Sequence, residues 1–399
     1  MTTLTAKLEQ RYQWMLFVLF GIGIMCLPPR SPEIEHNLGV GNGTFGTLVS
    51  LGAIGCIFSN LWVGQIAHRL GVRTILIASV TLMYAATATI PHIHTPWIYV
   101  LAVIAIGFSW PSYQIGLNQQ VLKRQNNTAT LLLPKLHGAW SVGALTTVVA
   151  AFLLTSKVSL AWHIDVLAAL VWSFTIFSIY KLNPVLITAS DLADEPIVKT
   201  KELFAGMREI RPVIIALLLA ISIESSTNDW ATLSSHQEIH ASNTLSIIPY
   251  LSFMVSMIIG RVSIHRLVKF RSERYWIRFG SLLGGLGFGI CVLLAKFLSS
   301  HSFTAAFSIE VLGFFLGGLG SSFMAGLFMT EASRRSHLSP GMVAAQLGLA
   351  VNTIGFVVRL ATAWIVQLTS ITIGLMLPTA LMLCLLFYKT LGNAEVTRD

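Results

Sequence analysis

Long apolar segments separated by short polar connections dominate this sequence. Twelve can be distinguished, and most are long enough to cross a hydrocarbon core of about 30 Å. We number them spans 1 to 12, and they cover residues 13–29, 43–67, 73–91, 97–121, 134–156, 161–181, 211–233, 243–267, 275–298, 303–330, 341–368 and 371–389. Since helices satisfy every backbone hydrogen bond inside a bilayer, the pattern predicts an all-α membrane protein.

The longest polar connection divides the chain into equal halves of six spans. It covers residues 183–210 and is rich in charged side chains. We therefore predict an N-terminal six-helix bundle over residues 1–182, a cytoplasmic linker over 183–210, and a C-terminal six-helix bundle over 211–399.

Composition excludes a soluble protein and a nucleic-acid-binding one. Of the residues, 54% are hydrophobic and only 11% are charged, with a mean hydropathy of +0.72. The net charge of +9 comes from basic residues scattered over short connections and not from one patch. All but four of the 26 lysines and arginines (Arg30, Lys157, Lys296 and Arg359) lie in the termini or beside connections that follow an even-numbered span. By the positive-inside rule, this predicts a multi-pass protein of the cytoplasmic (inner) membrane with both termini in the cytoplasm.

The connection between spans 2 and 3 carries the clearest motif. It reads Gly64, then His68-Arg69 four residues on, then Gly71 and Arg73. This pattern resembles the signature loop of the major facilitator superfamily of transporters. The resemblance implies a role for these residues in gating, and His68 stands where that family usually has Asp.

A weaker copy of the motif follows the second span of the C-terminal half. There, Gly260 precedes His265-Arg266, with one more residue in between than separates Gly64 from His68-Arg69. Two related halves imply a transport path at their interface and alternating access by rocking one bundle against the other. We place His265 and Arg266 with the gating residues.

A narrower resemblance is to the branch that includes the fucose-type sugar:proton symporters and related permeases. It rests on Asn118 at the end of span 4, the pattern His-Gly-x-Trp-Ser-x-Gly over residues 137–143, and Glu224 with Asp229-Trp230 in span 7. The chain departs from that branch in lacking a carboxylate within spans 1 and 4. It also has Arg359-Leu360 where related permeases often have Gly-Pro in span 11.

Intramembrane charges are the strongest candidates for chemistry, because each costs about 2.5–3.5 kcal/mol on insertion scales. Glu224 lies near the middle of span 7, and Arg359 lies in span 11, which neighbours span 7 in the family fold. We expect a Glu224–Arg359 contact. In one interpretation Glu224 carries a proton and its protonation releases Arg359; in another, Arg359 binds an anionic substrate group. The alternative is a permanent structural ion pair.

A stripe of aromatic and amide side chains predicts the substrate site. Aromatic rings stack on flat or sugar-like ligands, and amides hydrogen-bond them. The candidate binding residues are Trp110, Tyr113, Gln114, Asn118, Trp140, Asn228, Asn352 and Arg359. The alternative for this stripe is helix–helix packing through amide hydrogen bonds.

The substitution of Asp by His68 predicts altered gating. In the family, the Asp lies against the N-terminal end of span 11, where a helix favours an anion by about 0.3–1 kcal/mol. Here that end is Ser339-Pro340-Gly341, a good helix start. His68 supplies no negative charge, so we predict a weaker inner gate. In the alternatives, Glu331 replaces the missing acid or His68 bonds a carbonyl.

Together these features predict a secondary transporter for a small polar solute, sugar-like compounds included, driven by a proton or another coupling ion. The chain would act as a monomer in the lipid bilayer, with no metal, cofactor, nucleic acid or enzymatic activity. Two alternatives stay open: an efflux or exchange carrier for an organic or anionic compound, and a non-transporting sensor that kept the fold.

Overall fold

The computed structural model describes residues 6–128, 133–192, 204, 206–336 and 340–388. Ten of its helices are long and apolar enough to cross a membrane, judged by length and composition. One of them, residues 42–92, contains two spans that meet at Gly71, and the shorter Ile371–Phe387 supplies the last. The predicted all-α fold with twelve spans in two six-helix bundles is confirmed.

The N-terminal half begins and ends on the same face of the fold, which we call the termini side; the opposite face is the far side. Span 1 is Ala6–Ile24, span 2 begins as Asn42–Ser50, Gly52–Thr89 holds the rest of span 2 and span 3, span 4 is Pro96–Thr128, span 5 is Leu133–Leu154 and span 6 is Leu160–Leu182. Short helices at Pro28–Arg30 and Ser31–Leu38 connect spans 1 and 2 on the far side.

The C-terminal half contains more interrupted helices. Span 7 is Arg211–Gln237, span 8 is Ile247–Leu267, span 9 runs through Glu273–Ser281, Leu282–Gly287 and Phe288–Leu298, span 10 comprises Phe303–Ser321 and Met324–Arg335, span 11 is Pro340–Leu368, and span 12 comprises Ile371–Gly374, Met376–Leu383 and Cys384–Phe387. The middle piece of span 9 is a π-helix. The break in span 10 leaves the backbone carbonyl of Ser322 free to accept a hydrogen bond from another span.

Serine side chains cap the start of four helices. Each hydroxyl accepts a hydrogen bond from the backbone N–H three residues ahead, which satisfies one of the donors left free at a helix start. The capping pairs are Ser159 with Trp162, Ser272 with Tyr275, Ser302 with Ala305, and Ser370 with Ile373. The polar connections therefore determine where spans 6, 9, 10 and 12 begin.

Glycines let neighbouring spans approach closely. A Cβ atom built at Gly143 of span 5 would lie 1.9 Å from the carbonyl oxygen of Val18 in span 1. One built at Gly107 of span 4 would lie 2.0 Å from the carbonyl oxygen of Gly52 in span 2. Any side chain at these positions would force the helices apart, as expected where membrane helices pack through small residues.

Candidate functional site

The 2–3 connection turns at Gly71. This residue has φ 78° and ψ 158°, a conformation that strongly favours glycine, and it separates the helical stretches of spans 2 and 3. The next backbone N–H, of Val72, donates to the carbonyl of Ile187 at 3.0 Å. A Cβ at Gly71 would lie 3.1 Å from the backbone nitrogen of Ala189. The motif thus anchors this turn on the segment that follows span 6.

The other predicted gating residues lie around this turn and its counterpart. Gly64 faces open space, Arg69, Arg73 and Arg266 are exposed, and His68 is half-buried. The side chain of His265 lies outside the described part of the structure. Span 11 begins at Pro340, whereas its predicted cap, Ser339, lies outside the described residues.

Glu224 contacts an arginine, but a different one from the one predicted. Its carboxylate oxygens lie 3.3 and 3.4 Å from Nη2 of Arg261 in span 8. The expected contact between Glu224 and Arg359 was therefore wrong. The two side chains of the observed pair are 27% and 37% exposed, so the pair is accessible although Glu224 lies at the middle of span 7.

Arg261 was missed as a site residue because it was counted among the cations of the 8–9 connection. The structure places it inside span 8, six residues before the helix ends at Leu267. Its Nε atom donates to the carbonyl oxygen of Ser322, at the break in span 10, over 3.3 Å. His137 of span 5 lies within electrostatic range of its guanidinium. Arg261 therefore links three spans of its own half and faces the other half.

Arg359 pairs with Asp229 instead. Its Nε and Nη2 atoms donate to the two oxygens of that carboxylate over 2.7 and 2.5 Å. This two-pronged geometry is the strong form of an arginine–carboxylate contact. The side chains are 27% and 11% exposed, so this pair is more enclosed than the Glu224–Arg261 pair.

Helix depth could have indicated the correct partners. With a rise of 1.5 Å per residue, Asp229 lies about 27 Å along span 7 and Arg359 about 28 Å along span 11. Glu224 lies only about 20 Å along span 7. Since spans 7 and 11 run in the same direction, equal depths favour Asp229 as the partner of Arg359.

The predicted binding stripe does not converge as one surface. In span 4, Tyr113 is fully buried against Phe20, with ring centroids 5.0 Å apart, whereas Trp110 is exposed and Gln114 and Asn118 are half-buried. The hydroxyl of Tyr113 and Oδ1 of Asn118 are buried with no hydrogen-bond partner in the described structure.

The remaining predicted binding residues have partners. Asn228 accepts a hydrogen bond from the Tyr250 hydroxyl at 3.0 Å, and Asn352 donates to the carbonyl of Gly348 in its own helix at 2.8 Å. Trp140 packs at the contact between spans 1 and 5, where a Cβ at Gly21 would lie 2.1 Å from its carbonyl oxygen.

Hydrogen bonds join the two halves at the far side. Gln237, at the end of span 7, donates to Oε2 of Glu35 over 2.7 Å and accepts from the amide of Asn42 over 2.8 Å. The Gln367 side chain at the end of span 11 accepts from the backbone N–H of Gly43 at 2.7 Å. The far side is therefore closed by polar contacts, none of which was predicted from the sequence.

The fold and its signature turn have counterparts among known proteins. The Major Facilitator Superfamily model matches residues 13–358. The chain belongs to the major facilitator superfamily. It is thus a transporter and not an enzyme, as predicted.

Among the described residues, no group of three or more His, Cys, Asp or Glu side chains could hold a metal ion.

Solved structures of this superfamily share the fold over nearly the whole chain. A point mutant of the nucleoside transporter NupG is 15% identical with a TM-score of 0.74, covering 95% of this chain and 98% of its own. A D-xylose-proton symporter is 14% identical with a TM-score of 0.72, covering 96% and 97%. The xylose transporter XylE from E. coli, in a partially occluded inward-open conformation, is 12% identical with a TM-score of 0.68, covering 96% of each chain. No curated protein matches the sequence.

Proposed function

We propose that this superfamily transporter is a proton-coupled symporter for a small polar solute, in which Glu224 carries the proton and Arg261 responds to it. The observation that carries the proposal is the accessible ion pair between Glu224, midway along span 7, and Arg261 of span 8. When Glu224 takes up a proton, its attraction for Arg261 is lost, and the guanidinium keeps only the Ser322 carbonyl as its hydrogen-bond acceptor in the described structure. Protonation thus frees one side chain that faces the interface between the halves.

Alternating access would use the far-side contacts as the second gate. In the structure, Gln237, Glu35 and Asn42 hold the halves together on that side. We propose that the solute path is closed there in this state, and that release of these hydrogen bonds accompanies opening. The predicted gating residues would act at the other end: Gly64, His68, Arg69 and Arg73 around Gly71, and His265 and Arg266 at the end of span 8.

For the solute, a neutral polyhydroxy compound fits best. Support comes from the accessible Trp110 and Gln114 of span 4 and from fold relatives that are named for nucleosides and D-xylose. Since Tyr113 is buried in this state, its predicted contact with the solute would need span 4 to move.

The second candidate is a carrier for an organic anion. It is favoured by Arg261 itself, because a substrate carboxylate could replace Glu224 once that residue is protonated. The two candidates differ in which ligands stabilise the protein. Thermal-shift screening against sugars, nucleosides, amino acids and organic acids separates them, and a response confined to organic acids would favour the anion carrier.

We propose that the termini side faces the cytoplasm, with the chain in the inner membrane and acting as a monomer. The distribution of lysines and arginines supports this orientation. The linker over residues 183–210 then lies in the cytoplasm, between a bundle of residues 1–182 and one of residues 211–399.

The test is uptake into proteoliposomes of the solute that gives the largest thermal shift. Wild-type protein should accumulate it under an imposed pH gradient. Glu224→Gln should keep exchange of labelled for unlabelled solute but lose accumulation, because the gradient no longer acts on the carrier. Asp165→Asn, which changes a partly exposed carboxylate on the far side, is the matched control and should behave as wild type. Wild-type accumulation by Glu224→Gln would eliminate the proton-carrier hypothesis, and a protein that binds solute without moving it would be a sensor.

A further inference from the structure

One face of the first two turns of span 1 is basic and concave. Lys7, Gln10, Arg11 and Trp14 line a surface depression of about 390 Å³. These positions recur at intervals of three and four residues, so they share one side of the helix. All four side chains are exposed, Trp14 by 47%.

Glu9, the acidic residue in the same two turns of span 1, lies on the opposite side of the helix, towards span 4. Glu9 is 3.8 Å from Arg124 of span 4, and Arg124 also donates to Gln13 over 2.7 Å. The amide of Gln13 donates in turn to Glu9 over 3.2 Å. Lys7 and Arg11 therefore form no ion pair within the described part of the chain, and their charges face outwards.

The level of this face in the membrane follows from the helix itself. Trp14 opens the apolar segment of span 1, and Trp side chains favour the boundary between hydrocarbon and headgroups. Lys7 lies seven residues earlier, about 10 Å along the axis. Headgroups add about 5–7 Å to each side of the hydrocarbon core, so Gln10 and Arg11, four and three residues before Trp14, lie at headgroup level and Lys7 lies at the outer edge of that layer.

A neighbouring span has a cation near the same membrane end. Tyr12, beside Arg11, contacts Phe177 of span 6 with ring centroids 6.2 Å apart. Lys181 lies over that Phe177 ring at 5.3 Å. The positive charge at this corner of the protein is thus shared between spans 1 and 6.

We propose that the face formed by Lys7, Gln10, Arg11 and Trp14 binds the phosphate headgroup of an anionic phospholipid. The two cations complement the phosphate, the Gln10 amide donates a hydrogen bond to it, and Trp14 packs on the first methylenes of the acyl chains. A soluble anion or an acidic peptide would use the charges but not Trp14, which lies at the hydrocarbon boundary.

Native mass spectrometry of the full-length protein in a neutral detergent tests this, with phosphatidylglycerol as the probe and phosphatidylcholine for comparison. The variant Lys7→Gln/Arg11→Gln should bind the first phosphatidylglycerol about thirtyfold more weakly than wild type, since each basic residue near the surface contributes about fivefold. The control Arg208→Gln/Lys269→Gln removes two other exposed charges on the termini side and should keep wild-type affinity.

Three results would overturn the proposal. They are an unchanged phosphatidylglycerol affinity in Lys7→Gln/Arg11→Gln, equal affinity of wild type for phosphatidylcholine, and displacement of the lipid by equimolar inorganic phosphate or a poly-glutamate peptide. Both double variants change exposed side chains only, so both should fold. The proposal does not depend on proton coupling, because none of these residues contacts Glu224 or Arg261.

Discussion

Span 7 carries two carboxylates five residues apart, and their arginine pairs differ in the number of nitrogens that contact the carboxylate, in the contact distances and in the exposure of the carboxylate. Glu224 contacts Arg261 through one guanidinium nitrogen at 3.3 and 3.4 Å, and both side chains are more than a quarter exposed. Asp229 contacts Arg359 through two nitrogens at 2.7 and 2.5 Å, and its side chain is 11% exposed.

One helix therefore carries an ion pair that a proton can open beside an ion pair that holds two spans together. We call Glu224–Arg261 the switch and Asp229–Arg359 the anchor. Long contacts between accessible charges contribute little to stability, with a median of about 0–1 kcal/mol, so a proton can replace the arginine at small cost. Breaking a short, bidentate and partly buried ion pair costs several kcal/mol of stability, on the order of 3–5, because each charge would be left without a partner. We therefore assign coupling to Glu224–Arg261 and the joining of spans 7 and 11 to Asp229–Arg359.

The largest expected effect comes from breaking the anchor. Asp229→Asn should destabilise the protein by about 3 kcal/mol, because Arg359 loses a partly buried partner. Thermal unfolding of the purified protein measures this. Glu224→Gln is the control on the same helix and should cost less than about 1 kcal/mol. Equal costs for the two variants would remove the distinction between anchor and switch.

Next in size is the effect of Arg261→Gln on accumulation. A gradient of one pH unit can support about tenfold accumulation at one proton per solute, since one unit corresponds to about 1.36 kcal/mol. Without Arg261, protonation of Glu224 no longer releases a partner, and we expect accumulation to fall to none while exchange continues. Uptake with and without the pH gradient measures both. Accumulation that survives in Arg261→Gln would assign coupling to another residue.

A further effect, smaller than that of breaking the anchor, concerns the far side. Gln237→Leu removes the hydrogen bonds to Glu35 and Asn42, and a bond to a charged group contributes about 1.5–3 kcal/mol. The variant should shift the protein towards opening on the far side, seen as faster labelling of a cysteine placed there. Thr47→Val, which loses a bond within its own helix at a similar depth, should not shift it.

The smallest expected effect is that of His68→Asp. The resemblance to the family's signature loop implies that position 68 lies against the start of span 11, where a carboxylate should strengthen the termini-side gate by about 0.3–1 kcal/mol. Labelling of a cysteine placed between the two halves on the termini side should slow by a few-fold at most. If the accessibility of that cysteine does not change, His68 does not weaken the gate.

Hydropathy was enough to predict the spans, because a stretch of about 20 apolar residues has few other stable structures in a bilayer. The motif between spans 2 and 3 located Gly71, and a charge inside an apolar span located Glu224. Hydropathy could not predict the partner of Glu224, since this depends on how each helix is rotated about its axis. Five residues correspond to about 500° of helical turn, so Glu224 and Asp229 point about 140° apart, towards spans 8 and 11.

Arg261 shows a second limit of prediction from the sequence. It lies six residues before the end of span 8 and is followed by several more cations, so charge counting merged it with the connection. Its role depends on the break in span 10, where the Ser322 carbonyl accepts from it. The sequence could not predict the far-side hydrogen bonds of Gln237 either, because they connect residues about 200 positions apart in sequence.

The central claim is that a proton moves with the solute through Glu224. It is tested most directly by recording the pH inside proteoliposomes when solute is added outside, with no gradient imposed beforehand. Wild type and Asp229→Glu, which keeps the anchor charge, should acidify the interior, whereas Glu224→Gln should transport solute with no change in pH. Acidification by Glu224→Gln at the wild-type rate would contradict the account.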